Sequence, residues 1–77
     1  MDFSVNRTSG IPYHIQVRNV LREHLQAGTW QPGDRLPSEP ELCQMFAVSR
    51  PVIRQALNDL AQHGLVTRLK GKGTFVA

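Results

Sequence analysis

A single cysteine, Cys43, stands in the whole chain, so no internal disulfide can form and the scaffold must rest on packed secondary structure. No apolar run approaches the ~20 residues that span a bilayer. The first ten residues are polar and hold no apolar stretch of the kind a signal peptide needs. Metal-ligand spacings are missing too: His14, His24 and His63 are scattered, and neither HExxH nor CxxC occurs. Acidic residues nearly run out after Ser49, where Asp59 stands alone. These absences argue against a membrane protein, a disulfide-rich secreted module and a large multi-substrate enzyme. At 77 residues the chain is one domain, near the lower limit for a single apolar core. A small cytoplasmic module without catalytic residues, metal or cofactor is the expectation.

What is present is basic, and unevenly so. Nine Lys and Arg stand against six Asp and Glu, a net charge of +3. Up to Ser49, Arg7, Arg18, Arg22 and Arg35 face five acids, a balance of −1; from Arg50 onward, Arg50, Arg54, Arg68, Lys70 and Lys72 face Asp59, a balance of +4. Clustered cations point to a polyanionic partner more than an even spread would. The plain alternative is a solvated basic face with no partner.

Residues 1–10 lack periodicity and read as a flexible leader; the organised domain is expected over 11–77. Pro12 is preset for a first helical turn, and Tyr13, Val17, Val20, Leu21 and Leu25 recur at helical spacing up to Gly28. This predicts a first helix over Pro12 to Ala27. Pro32-Gly33 suits a type II turn, in which the third residue takes a positive φ. Arg35-Leu36 reads as a short extended piece before Pro37. Ser38 and Glu41 then form a capping box for a second helix of about nine residues carrying Leu42 and Phe46. Ser49 is the next N-cap candidate. Behind it, Ile53, Ala56, Leu57 and Leu60 form one apolar stripe, closed by Gly64. Pro51, Arg54, Gln55 and Asn58 fall on the opposite face, with Arg50 at its border.

Two short-linked helices, the second with a polar cationic face, make a helix-turn-helix. Leu65 to Leu69 and Thr74 to Val76 are β-prone, with Lys70-Gly71-Lys72-Gly73 between them as a hairpin tip. The predicted fold is α+β and mainly α: a winged helix-turn-helix of three helices and a C-terminal β-hairpin wing.

Among candidate chemistries, nucleotide hydrolysis fails because Gly71-Lys72-Gly73-Thr74 does not satisfy GxxxxGK[ST] and no helix follows it. His14 and His24 lie on nearly one side of the first helix, but without a third ligand they read as surface or helix-end residues. Cys43 reads as a partly buried filler. The wing tip has a more economical account. Gly71 and Gly73 let backbone approach a phosphate or a narrow groove, and Lys70 and Lys72 carry charge to that point. An ordinary solubilised hairpin turn is the alternative there. On the third helix, Arg50 and Arg54 are one turn apart, and arginine donates two hydrogen bonds to guanine in a major groove. Gln55 and Asn58 extend that surface. Helix starts at Ser38 and Ser49 offer N–H groups to phosphate, although Pro40 and Pro51 each remove one donor.

These residues, in order, resemble the N-terminal DNA-binding domain of the GntR family of bacterial transcriptional regulators. The carriers are Tyr13 with Gln16, Pro32-Gly33, Leu36-Pro37-Ser38-Glu39, Glu41-Leu42, Phe46, Val48-Ser49-Arg50, Arg54, Ala56-Leu57, Gly64-Leu65-Val66 and Gly71 to Val76. The Tyr-x-x-Gln start and the Gly-Lys-Gly-Thr-Phe-Val ending are most similar to the HutC-type branch. The resemblance implies a sequence-specific double-stranded DNA binder acting on a pseudo-palindromic operator, often with GT and AC at its outer half-site ends. It further implies a metabolite-responsive regulator, most often a repressor. A C-terminal domain absent from this chain would bind a small-molecule effector and hold the full-length protein as a homodimer, leaving this fragment monomeric. By position, Arg50 and Arg54 match base-reading arginines, Ser49 a phosphate-contacting hydroxyl and Gly71 the wing-tip glycine. Arg35 and Glu39 match motif positions near the DNA backbone. Pro40 and Pro51 depart from the family pattern where polar or hydroxyl side chains are common. The rival expectation is a winged helix that binds an acidic protein partner.

Overall fold

The first helix begins one residue later than its pattern suggests, because Pro12 serves as the N-cap rather than the first helical residue. The computed structural model describes residues 3–77. Its elements are α1 (Tyr13–Ala27), α2 (Glu39–Phe46), α3 (Arg50–Gln62), β1 (Val66–Leu69) and β2 (Gly73–Val76). The helix-turn-helix is α2 and α3, and the antiparallel hairpin β1–β2 is the wing.

Local chemistry explains most boundaries. Ser38 Oγ accepts from Glu41 N at 3.2 Å while Glu41 Oε1 accepts from Ser38 N at 3.0 Å, completing the capping box at the start of α2. That bond to the Ser38 backbone, followed by the hydroxyl's, holds the Glu41 carboxyl below its usual range. At the Pro32-Gly33 turn, Asp34 N donates to Gln31 O at 2.9 Å and Gly33 has φ 91°, the type II geometry. The α2 C-cap is Ala47 at φ 55°, the one positive-φ non-glycine among the described residues. The C-cap of α3 is His63, one residue before the expected Gly64.

The core draws on the three helices, β1 and the segment before α2. Val17 and Leu21 of α1, Leu42 and Phe46 of α2, the Ile53-Ala56-Leu57-Leu60 stripe of α3, Leu36 and Val66 are all buried. Each large aliphatic or aromatic side chain so placed stabilises the fold by about 1.5–3 kcal/mol. In the wing, Val66 pairs with Val76, Thr67 with Phe75, Arg68 with Thr74 and Leu69 with Gly73. Residues 34–36 add a third rung outside β2. Arg35 bridges Phe75, Leu36 N donates to Thr74 O at 2.8 Å, and Val76 N donates to Asp34 O at 2.8 Å.

In the leader, Met1 and Asp2 lie outside the described residues. Phe3 stacks on His24 with ring centroids 4.2 Å apart and meets Phe46 edge-on at 5.7 Å, while Val5 packs against the core. His24, expected at the surface or a helix end, stands in the last turn of α1 and is only 4% exposed. Its Nδ1 lies 2.9 Å from Thr29 Oγ1, and the stacked Phe3 seals the ring from solvent.

A cross-strut ties α1 to α3: Arg18 Nη1 donates to Asp59 Oδ2 at 2.9 Å, with both side chains a quarter exposed. This bond holds the Asp59 carboxyl below its ordinary range, with the positive charges of Arg18, His63 and His14 adding to it. A carboxyl lowered by folding stabilises above its unfolded pKa and loses that contribution as acid protonates it. Asp59→Asn is therefore expected to lower the melting temperature at neutral pH. The gap to the parent chain should close as pH falls from about 4 toward 2. Thermal unfolding followed by circular dichroism across that range checks it; a gap independent of pH would remove the ionic role.

Candidate nucleic-acid interface

The outer face of α3 is set by its inner one. With Ile53, Ala56, Leu57 and Leu60 buried, Arg50, Pro51, Arg54, Gln55 and Asn58 are left exposed. Between this face, the start of α2 and the wing lies an open cleft of about 520 Å³. Its walls carry five cations, Arg35, Arg50, Arg68, Lys70 and Lys72, and one carboxylate, Glu39. Ser38, Asn58, Gly71 and Gly73 complete the set of expected residues lining it. A cleft whose charges are mostly of one sign concentrates field lines on whatever anion enters.

Glu39 organises the arginines. Its Oε1 lies 3.8 Å from Arg50 Nε and 3.7 Å from Arg54 Nη2, and its Oε2 accepts from Arg68 Nη2. Arg68 Nη1 donates in turn to Asn58 Oδ1, which links β1 to the exposed face of α3. Arg50 and Arg54 remain more than half exposed, and such pairs are worth only about 0–1 kcal/mol each. They orient the two side chains without locking them.

Four expected residues, Ser49, Pro51, Arg54 and Gln55, do not line the cleft. Gln55 faces the α1 side, beside His14, Arg18 and Asp59. Ser49 sits at the start of α3, where its hydroxyl makes no capping bond. Pro51 occupies the second helical position there and has no N–H to offer it. The two helix starts, both expected to offer N–H groups to phosphate, differ in their surroundings. At α2 the capping box occupies the Ser38 hydroxyl, and Glu39 and Glu41 add negative charge. At α3 no acid lies in the first turn.

Arg68 is the site residue that the sequence reading missed, although a signal existed. Strand alternation puts it on the same face as buried Val66, hence toward α3 and not toward solvent. Arg35 was expected near the site, but its reason for being there is tertiary. It crosses the wing at Gly73, where a Cβ would come within 2.7 Å of Arg35 Nε.

Fold and cleft together define the class: a winged helix-turn-helix with a cationic face shared by the third helix and the wing. Comparisons with known proteins agree. Residues 15–76 match the family described as "Bacterial regulatory proteins, gntR family". The histidine utilization repressor of Klebsiella aerogenes is 44% identical over 71 residues, 92% of this chain and 30% of that protein. The HTH-type transcriptional repressor NagR of Bacillus subtilis is 43% identical over 74 residues, covering 96% of this chain and 30% of NagR. Among solved structures, AraR(DBD) in complex with operator ORX1 superposes with a TM-score of 0.92 at 35% identity, over 96% of this chain and 94% of that one. The chain belongs to the gntR family of bacterial regulatory proteins. It spans about 30% of the length of the curated relatives it matches.

Gly73 has φ 116° and faces Arg35, whereas Gly71 has φ 77° with nothing within 4 Å of a built Cβ. Gly73→Ala is expected to cost about 1–3 kcal/mol, from the strained backbone and the displaced guanidinium. Gly71→Ala should cost less. Urea unfolding of the two variants compares them directly, and a larger loss at Gly71 would contradict the packing described.

Proposed function

We propose that this chain is the operator-reading domain of a bacterial, metabolite-responsive transcriptional repressor, and that it binds double-stranded DNA sequence-specifically. The observation that carries the reading is the continuity of the exposed Arg50–Arg54 face with the Lys70–Gly73 wing tip around one cationic cleft. The named relatives are repressors, and AraR(DBD) is seen with an operator, which supports the same use here.

In this reading α3 enters the major groove. Arg50 and Arg54 leave their loose pairing with Glu39 and donate to guanine O6 and N7, each good bidentate contact discriminating by about 1–3 kcal/mol. The wing tip lies along the adjacent minor groove, where Lys70 and Lys72 meet its negative potential. Ser49, free of a capping role, donates to a phosphate at the start of α3. Pro40 and Pro51 supply no hydrogen bonds at this edge, so the contacts of this chain are concentrated in its arginines, Ser49 and the wing.

Homodimerisation and effector binding are assigned to parts of the protein outside these 77 residues, in keeping with relatives more than three times as long. The domain itself works as a monomer on each half-site of a pseudo-palindrome, in the cytoplasm. No helix among the described residues is long and apolar enough to cross a membrane.

Fluorescence anisotropy tests the reading. A palindromic duplex with GT and AC at its outer half-site ends is titrated against a scrambled one at several salt concentrations. The palindrome should bind tighter, and both should weaken as salt rises. Arg50→Ala should erase about 1–3 kcal/mol of discrimination at one base pair. Lys72→Ala should weaken both duplexes alike and flatten the salt slope by about 0.9. Equal effects of both variants on both duplexes would overturn the residue assignments. Absence of binding at low salt would turn attention to an acidic protein partner.

A further inference from the structure

Tyr13 and Gln16 take no part in the wing cleft, and the polar stretch before them has no evident task in the sequence. The structure gives all three one purpose. Gln16 Oε1 accepts from Asn6 N at 2.6 Å, and its Nε2 donates to Asn6 O at 2.9 Å, Ile11 O at 2.9 Å and Ser9 Oγ at 3.2 Å. Asn6 Oδ1 also accepts from Thr8 N at 2.9 Å. One α1 side chain thereby closes residues 6–11 into a defined loop.

Arg7 stands on that loop. Its Nη2 donates to Ala47 O, and its guanidinium lies 5.2 Å over the Tyr13 ring. Ala47 is the C-cap of α2, two residues before Ser49. Arg7 is therefore fixed at the turn between α2 and α3.

We infer that Arg7 is a further phosphate-contacting residue of this domain, beside the turn that leads into α3, and that Gln16 positions it. The inference rests on the operator-reading function proposed above. Geometry supports it first. Ala47, whose carbonyl holds Arg7, lies two residues before Ser49, the hydroxyl assigned to a phosphate, so the guanidinium stands beside the start of α3. Hydrogen-bond inventory supports it next. Ala47 O takes one of the five N–H donors of Arg7, and the Tyr13 ring fixes the guanidinium plane. Charge supports it last. Arg7, like Arg22 and Arg35, has no carboxylate partner among the described residues, so its charge is not neutralised by an ion pair.

The competing role is local: a cation at the C-terminus of α2 satisfies a carbonyl and complements the helix dipole. That role moves stability but leaves the salt dependence of DNA binding unchanged. The test uses the full 77-residue chain with palindromic and scrambled duplexes, titrated from low to moderate salt. Arg7→Lys should keep the parental slope of log K against log salt. Arg7→Gln should flatten it by about 0.9 on both duplexes, so that its affinity deficit shrinks about 3.5-fold over a fourfold rise in salt. Gln16→Ala should flatten the slope similarly, and the double variant should add little. An unchanged slope in Arg7→Gln, with any affinity loss following the melting temperature, overturns the inference.

If Arg7→Gln does not fold, duplexes with single phosphates neutralised as methylphosphonates decide the matter. One position beyond the α3 edge must weaken the parental chain but not Gln16→Ala, and finding no such position overturns the inference. A parental chain that binds neither duplex at low salt removes the DNA reading and this inference together. Binding with an unaltered Arg7→Gln slope removes this inference alone.

Discussion

The burial of one stripe of α3 determines the rest of the molecule. Ile53, Ala56, Leu57 and Leu60 are at most 1% exposed, and α1, α2 and β1 all pack around the helix that carries them. At 100° per residue a helix has little freedom once four side chains are committed. Rotating α3 by one position would bring Arg54 or Asn58 inward, burying an uncompensated polar or charged group at a cost of several kcal/mol. Hydrophobic packing therefore chooses the direction of the arginines. The same packing places the start of α3 beside the start of α2, which closes one wall of the cleft.

Within that frame Glu39 acts as an internal counterion. Five cations on one cleft repel each other, and a single carboxylate touching Arg50, Arg54 and Arg68 lowers that repulsion. The three contacts are unequal. Arg68, about a quarter exposed, is held by both Glu39 and Asn58, whereas Arg50 and Arg54 are over half exposed at 3.7–3.8 Å from the carboxylate. The inner arginine is thus architectural and the outer two are available. A polyanion entering the cleft replaces weak, screened contacts, so little is lost in releasing them.

Legibility in the sequence follows the range of the interactions. The capping box at Ser38 and Glu41, the Pro32-Gly33 turn and the stripe of α3 depend on residues three or four apart, and each was readable from spacing alone. The hairpin was readable from β-prone runs on either side of Lys70 to Gly73, although its Gly73 proved to belong to β2. What escaped reading is held by contacts distant along the chain. Arg7 reaches Ala47 across 40 positions and Arg68 reaches Glu39 across 29. Phe3 finds its partners only once α1, α2 and the Trp30 turn are assembled. Ala47 escaped for another reason: a left-handed alanine has no compositional mark, because the turn imposes what the residue disfavours.

The segment from Asp34 to Ser38 joins the wing to the helix-turn-helix. Asp34 and Leu36 make backbone bonds to β2, Leu36 is buried in the core, and Ser38 caps α2. Pro37 stands between the last sheet contact and the cap, where its ring restricts the backbone. These five residues leave no flexible joint between the wing and the start of α2. A wing hinged on its own two strands would wander, since an isolated hairpin is marginal in water. Here the third rung, the Arg35 side chain across Gly73 and the Arg68–Glu39 contact all tie it to the body. The distance between wing tip and α3 is therefore a property of the folded core, set before any partner arrives. The proposed operator reading needs that rigidity, because α3 and the wing would enter neighbouring grooves whose separation the DNA largely dictates.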